Sequence, residues 1–308
     1  MLLTAKAQGV FPIAATPFDS AGRVDFTSLD RLTDFYCSCG ANGLAVLGIM
    51  GEAQKLEADE ALAIVRAVTR RAGLPVVVGV SAPGFAAMRA LALGAMQSGA
   101  AGVMIAPPSS LRTDDQITSY YAQAVEAIGE DIPFVIQDYP LLLSVVMTPG
   151  VIRAIAQNHA SCVMLKHEDW PGLEKISALR GFQADGSLRE LAILTGNGGL
   201  FLDFEMRRGA DGAMTGYAFP DMLADLVRLS KAGDSSAAHD LFDAHLPLIR
   251  YEQQQSIGLA VRKHVLMRRG AIASDMQRAP AAVLSATARA EVEFLLGRLA
   301  RHDARANI

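Results

Sequence analysis

Cysteine is scarce in this chain, with three residues in 308. Cys37 and Cys39 stand two apart in a helical stretch and so point in different directions, while Cys162 opens an apolar run. An odd set so placed gives neither a disulfide framework nor a zinc knuckle. The six histidines, His159, His167, His239, His245, His264 and His302, do not gather at strand ends, which argues against a metal site. No run of Lys or Arg interrupts a net charge of −4, so a nucleic-acid track or a polybasic membrane patch is not expected. Apolar stretches stay strand-sized, too short to cross a bilayer. The opening Met1-Leu2-Leu3-Thr4-Ala5-Lys6 is too poor in apolar residues for a secretory signal, which leaves the cytoplasm as the expected location. Charged residues make up only 19% against 51% hydrophobic, a balance that excludes a disordered or fibrous chain.

What is present is a rhythm. Apolar runs recur at Val10–Ala15, Gly43–Gly48, Pro75–Val80, Gly102–Ala106, Pro133–Ile136, Cys162–Leu165, Leu191–Leu194 and Gly212–Met214. Most are continuous rather than alternating, as strands buried on both faces should be. Helical periodicity fills the gaps, most clearly over Glu57–Ala72, with acids in its first turns, Arg70 and Arg71 in its last, and Gly73 to stop it. Strand then helix, eight times, predicts a parallel α/β sheet that most economically closes into a (β/α)8 TIM barrel, with a doubly wound open sheet as the alternative. Asp221–Lys231 is the expected eighth helix. The barrel domain therefore covers residues 1–233, and only helical patterns follow, giving a C-terminal helical extension over 234–308.

In such a barrel the residues at the C-terminal ends of the strands face the active site. Of six lysines, Lys6, Lys55, Lys166, Lys175, Lys231 and Lys263, only Lys166 directly extends an apolar strand. Desolvation there would leave neutral amine to attack a carbonyl, although pairing with Glu168 or Asp169 is the structural alternative. Gly48-Ile49-Met50-Gly51-Glu52 follows the second strand, and its glycines free backbone N–H groups to hold a carboxylate; Glu52 reads better as a structural partner. Gln137 and Tyr139 share a parity at the end of the fifth strand, which makes Tyr139 a candidate proton shuttle. Thr195-Gly196-Asn197-Gly198-Gly199 lies where barrels often bind phosphate, and equally fits a tight turn. His167 has the parity opposite to Lys166.

With these residues in view the sequence resembles the dihydrodipicolinate synthase / N-acetylneuraminate lyase superfamily. The resemblance rests on Gly9-Val10-Phe11-Pro12 with Thr16-Pro17-Phe18, on Gly48-x-x-Gly51-Glu52, on Pro140 and on Lys166, and it covers essentially the whole chain. It implies a Schiff-base lyase of small 2-oxo acids, homo-oligomeric as a dimer or tetramer and needing no cofactor. It makes Lys166 the imine-forming lysine and has the Ile49–Met50 backbone cradle the substrate carboxylate. Departures are equally specific. Ile49 and Met50 replace two hydroxyl residues, Gln137-Asp138-Tyr139-Pro140 replaces Tyr-Asn-x-Pro, Ser109 replaces a tyrosine, and Leu141, Leu142 and Leu143 stand where an arginine grips a second carboxylate. A true dihydrodipicolinate synthase is therefore not expected.

One branch shares more of this pattern. The chain is similar to the L-2-keto-3-deoxyarabonate dehydratases in Gln-Asp-x-Pro, in Lys166-x-Glu168, in Gly212-Ala213-Met214-Thr215-Gly216 and in Phe219-Pro220-Asp221. The expected activity is dehydration or aldol cleavage of a 2-keto-3-deoxy sugar acid. Catalytic candidates are Lys166, Tyr139 and Gln137, and substrate-binding candidates are Ile49, Met50, Gly51, Ser109, Glu168, Gly196 and Thr215. The apolar Ile49 and Met50 predict a substrate with fewer hydroxyls or an apolar group. A barrel that has lost turnover and binds a 2-oxo acid as a regulator, and a phosphate-binding barrel, are the competing readings.

Overall fold

The computed structural model describes residues 1–308. Its eight strands are β1 (Gly9–Val10), β2 (Leu44–Val46), β3 (Val76–Gly79), β4 (Gly102–Ile105), β5 (Phe134–Asp138), β6 (Cys162–His167), β7 (Ala192–Thr195) and β8 (Gly212–Ala213). All pair in parallel in the order β1-β8-β7-β6-β5-β4-β3-β2, so that β2 to β8 each pair with their sequence neighbours and β1 pairs with β8. The two ends of this order meet as well: Ile13 bridges Ala45, with Ala45 N–H donating to Pro12 O at 2.9 Å and Ala14 N–H to Ala45 O at 2.8 Å. The architecture is an α/β TIM-barrel-like one.

Between the strands lie α1 (Phe26–Ser38), α2 (Ala58–Ala72), α3 (Phe85–Gln97), α4 (Asp114–Ile128), the single turn α5 (Pro140–Leu143), α6 (Pro149–Asn158), α7 (Leu173–Ala184), α8 (Leu202–Arg207) and α9 (Pro220–Lys231). Local chemistry fixes their ends. At α2 the Glu57 side chain takes the Glu60 N–H while Glu60 returns the bond to the Glu57 N–H, and Gly73 stops the helix with φ +61°. Thr113 and Gln116 repeat the reciprocal cap at α4, and Pro220 occupies the first position of α9, where its missing N–H costs nothing. The first strand is shorter than the Val10–Ala15 run predicts because Pro12 has no N–H to offer. The ladder nonetheless continues through Phe11 N–H to Ala213 O (2.8 Å) and Ile13 N–H to Thr215 O (2.9 Å).

After α9 come α10 (Ser235–Glu252), α11 (Gly258–Arg268) and α12 (Ala286–Leu299). They are not an independent body. Leu248, Val261 and Leu296 belong to the same continuous apolar core as the strands. Glu52, only 1% exposed, ties the turn after β2 to this segment: it takes Lys263 Nζ at 2.6 Å, Lys55 Nζ at 2.8 Å and the Arg278 N–H at 3.1 Å. No helix is long and apolar enough to cross a membrane.

Gly212 shows how tightly β8 meets β1, since a Cβ there would lie 1.9 Å from Gly9 O, a backbone atom that cannot move aside. Gly212→Ala should destabilise the fold by roughly 2–4 kcal/mol. Gly297→Ala, on exposed α12 with nothing within 4 Å, should stabilise it by up to about 1 kcal/mol. Denaturant titration of both variants checks this pair, and equal effects would refute the close approach.

Candidate active site

The register of β5 against β6 sets Gln137 beside Lys166, and both point into a cavity of about 630 Å³ at the C-terminal ends of the strands. Lys166 is 5% exposed, with its amine 3.0 Å from Glu168 Oε2. That same oxygen accepts from Gln137 Nε2 at 2.8 Å. The expected desolvation of Lys166 is present, yet its charge is compensated by a carboxylate inside the cavity. Room for Glu168 comes from Gly196, where a Cβ would lie 2.3 Å from Glu168 Cγ. Asn197 Nδ2 then fixes the strand end by donating to Glu168 O at 2.9 Å.

Tyr139 and Thr215 also line the cavity. Burial, helped by the neighbouring Glu168 charge, pushes the Tyr139 phenol above its ordinary value, so it holds its proton at neutral pH. Ile49 and Met50 open a 3-10 turn that lines the same cavity, and the first N–H groups of such a turn have no partner within it. The exposed Leu141 and Leu142 border the same space.

Three predicted site residues sit elsewhere. Ser109 is exposed in the loop between β4 and α4, outside the cavity wall, with its carbonyl taken by Arg112. Gly51 turns away: its carbonyl accepts from Thr16 Oγ1 at 2.6 Å, and a Cβ would face Ala14 O. Gly196 makes space for Glu168 and is not part of the cavity lining. The Gly196–Gly199 loop is also no open anion nest, because Gln253 Nε2 lies 1.7 Å from where a Gly198 Cβ would stand.

Sequence reasoning confined to strand ends misses a polar wall from the C-terminal helices. Glu252, at the end of α10, and Arg262, on α11, line the cavity together with Gln253. Arg262 Nε donates to Glu252 Oε2 at 3.1 Å, and burial raises the Glu252 carboxyl to about 7 although Arg262 opposes the shift. A helix-terminal Glu followed ten residues later by Arg reads only as charge; the signal nearby is Gln255-Ser256, which the chain shares with the L-2-keto-3-deoxyarabonate dehydratases and which also lines the cavity.

Residues 6–299 match the model of the dihydrodipicolinate synthetase family. The chain belongs to that family. Among curated relatives of this family member, an L-2-keto-3-deoxyarabonate dehydratase of Azospirillum brasilense is 31% identical over 311 residues, covering 96% of each chain. A 4-hydroxy-tetrahydrodipicolinate synthase of Bifidobacterium longum is 28% identical, covering 88% of this chain and 87% of its own. A solved structure described as dihydrodipicolinate synthase from Rhodopseudomonas palustris is 66% identical, with a TM-score of 0.96 over 97% of this chain and 99% of that one.

On the outer face of the same strands, opposite in parity to Lys166 as predicted, lies a second buried ionic layer. Asp138 takes Lys175 Nζ at 2.7 Å, His167 Nδ1 lies 3.7 Å from Asp138, and Glu205 sits beyond. Burial raises the Glu205 carboxyl from 4.5 to about 7, opposed by His167 and the Thr195 hydroxyl. The folded chain thus holds a proton that the unfolded chain releases near 4.5. The associated stabilisation is full below that pH and is lost as pH rises through about 7. Glu205→Gln should flatten this slope, making the variant about 1–3 kcal/mol more stable than the parent at alkaline pH with no gain in acid. Denaturant midpoints measured across that range decide, and parallel profiles would sink the assignment.

Proposed function

We infer that this chain is a Schiff-base lyase of small 2-oxo acids, a dehydratase or aldolase of 2-keto-3-deoxy sugar acids and not a true dihydrodipicolinate synthase. The observation that carries the reading is the Lys166 amine, 5% exposed on the wall of a 630 Å³ cavity and held by Glu168, whose carboxylate is in turn bonded to Gln137. An amine so held is aimed, and transfer of its proton makes it a nucleophile. It adds to the C2 carbonyl carbon of the substrate, and loss of water leaves an iminium that draws electrons from C3.

Two outcomes share that iminium. If a base takes a C3 proton, the enamine expels the C4 hydroxyl, which leaves as water after receiving a proton. If instead the C4 hydroxyl gives up its proton, the C3–C4 bond breaks to an aldehyde and the enamine of pyruvate, which is protonated at C3. Water then hydrolyses the imine and restores Lys166. Glu168, Tyr139 and Thr215 are the groups at hand for these proton transfers and hydroxyl contacts, and the Ile49–Met50 turn supports a carboxylate within the same cavity. The 31% identical dehydratase relative agrees with this reading.

The synthase reading is favoured by the name of the 66% identical structure and by Arg262, a guanidinium available to a second carboxylate. Against it stand Leu141, Leu142 and Leu143 in place of the expected arginine, and Gln137 in place of the relay tyrosine. Incubation with pyruvate and borohydride should add a reduced pyruvyl group to the peptide containing Lys166 and to no other, and Lys166→Ala should take up none. The same substitution should lower kcat/KM for 2-keto-3-deoxy sugar acids by roughly 10³-fold or more. Consumption of pyruvate with aspartate semialdehyde, exceeding turnover of every 2-keto-3-deoxy acid, would establish the synthase instead. Labelling without turnover of any of them would mark a binder.

A further inference from the structure

The polar wall built by α10 and α11 has unmet hydrogen-bonding capacity. Glu252 is 1% exposed, and while its Oε2 accepts from Arg262, its buried Oε1 has no partner. Gln253 Nε2 is likewise buried and unpartnered. The Arg262 guanidinium reaches across the cavity: Nη2 lies 3.1 Å from the position of a Gly198 Cβ and Nη1 3.7 Å from that of a Gly216 Cβ. Its only contact there is a weak one, from Nη1 to Met50 Sδ at 3.9 Å. Gly216 is itself required, since a Cβ would stand 2.0 Å from that sulfur.

Buried donors and acceptors left unpaired are costly and are ordinarily satisfied by protein, water or ligand. Here an open acceptor on Glu252 adjoins open donors on Arg262 and Gln253, and all three border the cavity that holds Lys166. A carboxylate tail would meet Arg262 favourably but would lie against the Glu252 carboxyl. A hydroxyl suits both, accepting from Arg262 or Gln253 and donating to Glu252 Oε1. An apolar tail would leave all three unpaired.

We propose that Glu252, Gln253 and Arg262 form the specificity-determining subsite for the far end of the substrate, selecting 2-oxo acids whose distal carbons carry hydroxyls. This deepens the lyase reading and rests on it for the placing of the 2-oxo end. Met50 lies beside this cluster, its sulfur against Arg262 Nη1, and adds apolar surface next to the polar groups without satisfying them. Hydroxyl recognition comes from a part of the chain remote in sequence from every strand end.

Calorimetric binding to Lys166→Ala tests this without imine formation or turnover. Three probes of equal chain length serve: 4,5-dihydroxy-2-oxopentanoate, 2-oxopentanoate and 2-oxoglutarate. The dihydroxy acid should bind roughly tenfold or more tightly than either of the others, as expected when a site built to bond hydroxyls meets analogues lacking them. Adding Arg262→Leu with Glu252→Gln removes the pair together and so leaves no unpaired carboxylate at position 252; the preference should fall to within about twofold. Gln253→Ala, less disruptive to folding, should weaken the preference by about threefold if the paired variant proves unstable. Tightest binding of 2-oxoglutarate, no preference in Lys166→Ala, or a preference that survives both sets of substitutions would overturn the subsite. Failure of borohydride labelling with the hydroxyl preference intact would sink the imine and leave the subsite standing.

Discussion

The contact between Lys166 and Glu168 constrains more of this molecule than any other pair. Two opposite charges, both almost wholly out of water, are tolerable only while each compensates the other; removal of one partner of such a pair costs roughly 3–5 kcal/mol. The surroundings follow from that requirement. Gln137 must stand in register with Lys166 so that its amide reaches the shared carboxylate oxygen. Gly196 must lack a side chain so that the carboxylate fits, and Asn197 must hold the Glu168 carbonyl. Strand register, a glycine and a turn are thereby committed to one ion pair, which leaves the amine aimed into the cavity.

A second buried carboxylate does for the outer parts what Glu168 does for the centre. Glu52 is reached from α11 by Lys263, from its own turn by Lys55 and from the chain beyond α11 by the Arg278 N–H. Lys263 is fully buried, and burial lowers its affinity for a proton while Glu52 opposes the loss. Since Arg262 is its immediate neighbour on α11, the bond that secures the turn after β2 also sets where the polar wall stands. The loop bearing Ile49 and Met50 and the helix bearing Arg262 are thus anchored to the same carboxylate, and both line one cavity, where Arg262 Nη1 meets Met50 Sδ at 3.9 Å.

How much of this is legible in the sequence depends on how far each signal travels. Strands buried on both faces announce themselves in continuous runs such as Val76–Gly79, and α2 in its caps and charge gradient, because those properties are local. Lys166 is legible for the same reason: a lone cation prolonging an apolar strand contradicts its own surroundings. The parity that puts Gln137 with Lys166 and sends His167 to the outer face follows from the strand period alone. Ser109, Gly51 and Gly196 show where the method stops. Their positions in strand-end loops are right, but which way a loop turns depends on partners such as Thr16, Arg112 and Glu168 that the local pattern does not name. Glu252 and Arg262 look like ordinary helix-surface charges until tertiary packing buries them.

On the proposed reading, the strand ends and the C-terminal helices that line the cavity divide the work of recognition by chemistry. Gln137 and Lys166 sit on adjacent strands of the rigid sheet, with Glu168 just past the end of β6, where the precise placement that the proposed nucleophile needs is attainable. The groups proposed to face the rest of the ligand are borne instead by the segment after the last strand, at the end of α10 and on α11, whose sequence can change without disturbing strand register or the buried ion pair. A fold organised in this way can keep one reaction intermediate while altering which tails it accepts. In this chain leucines stand after β5 where the family resemblance leads one to expect an arginine, and on the proposed reading the polar contacts to the far end of a substrate come from the C-terminal helices instead. The open oxygen of Glu252 and the open nitrogens of Gln253 and Arg262 are the groups placed to supply them.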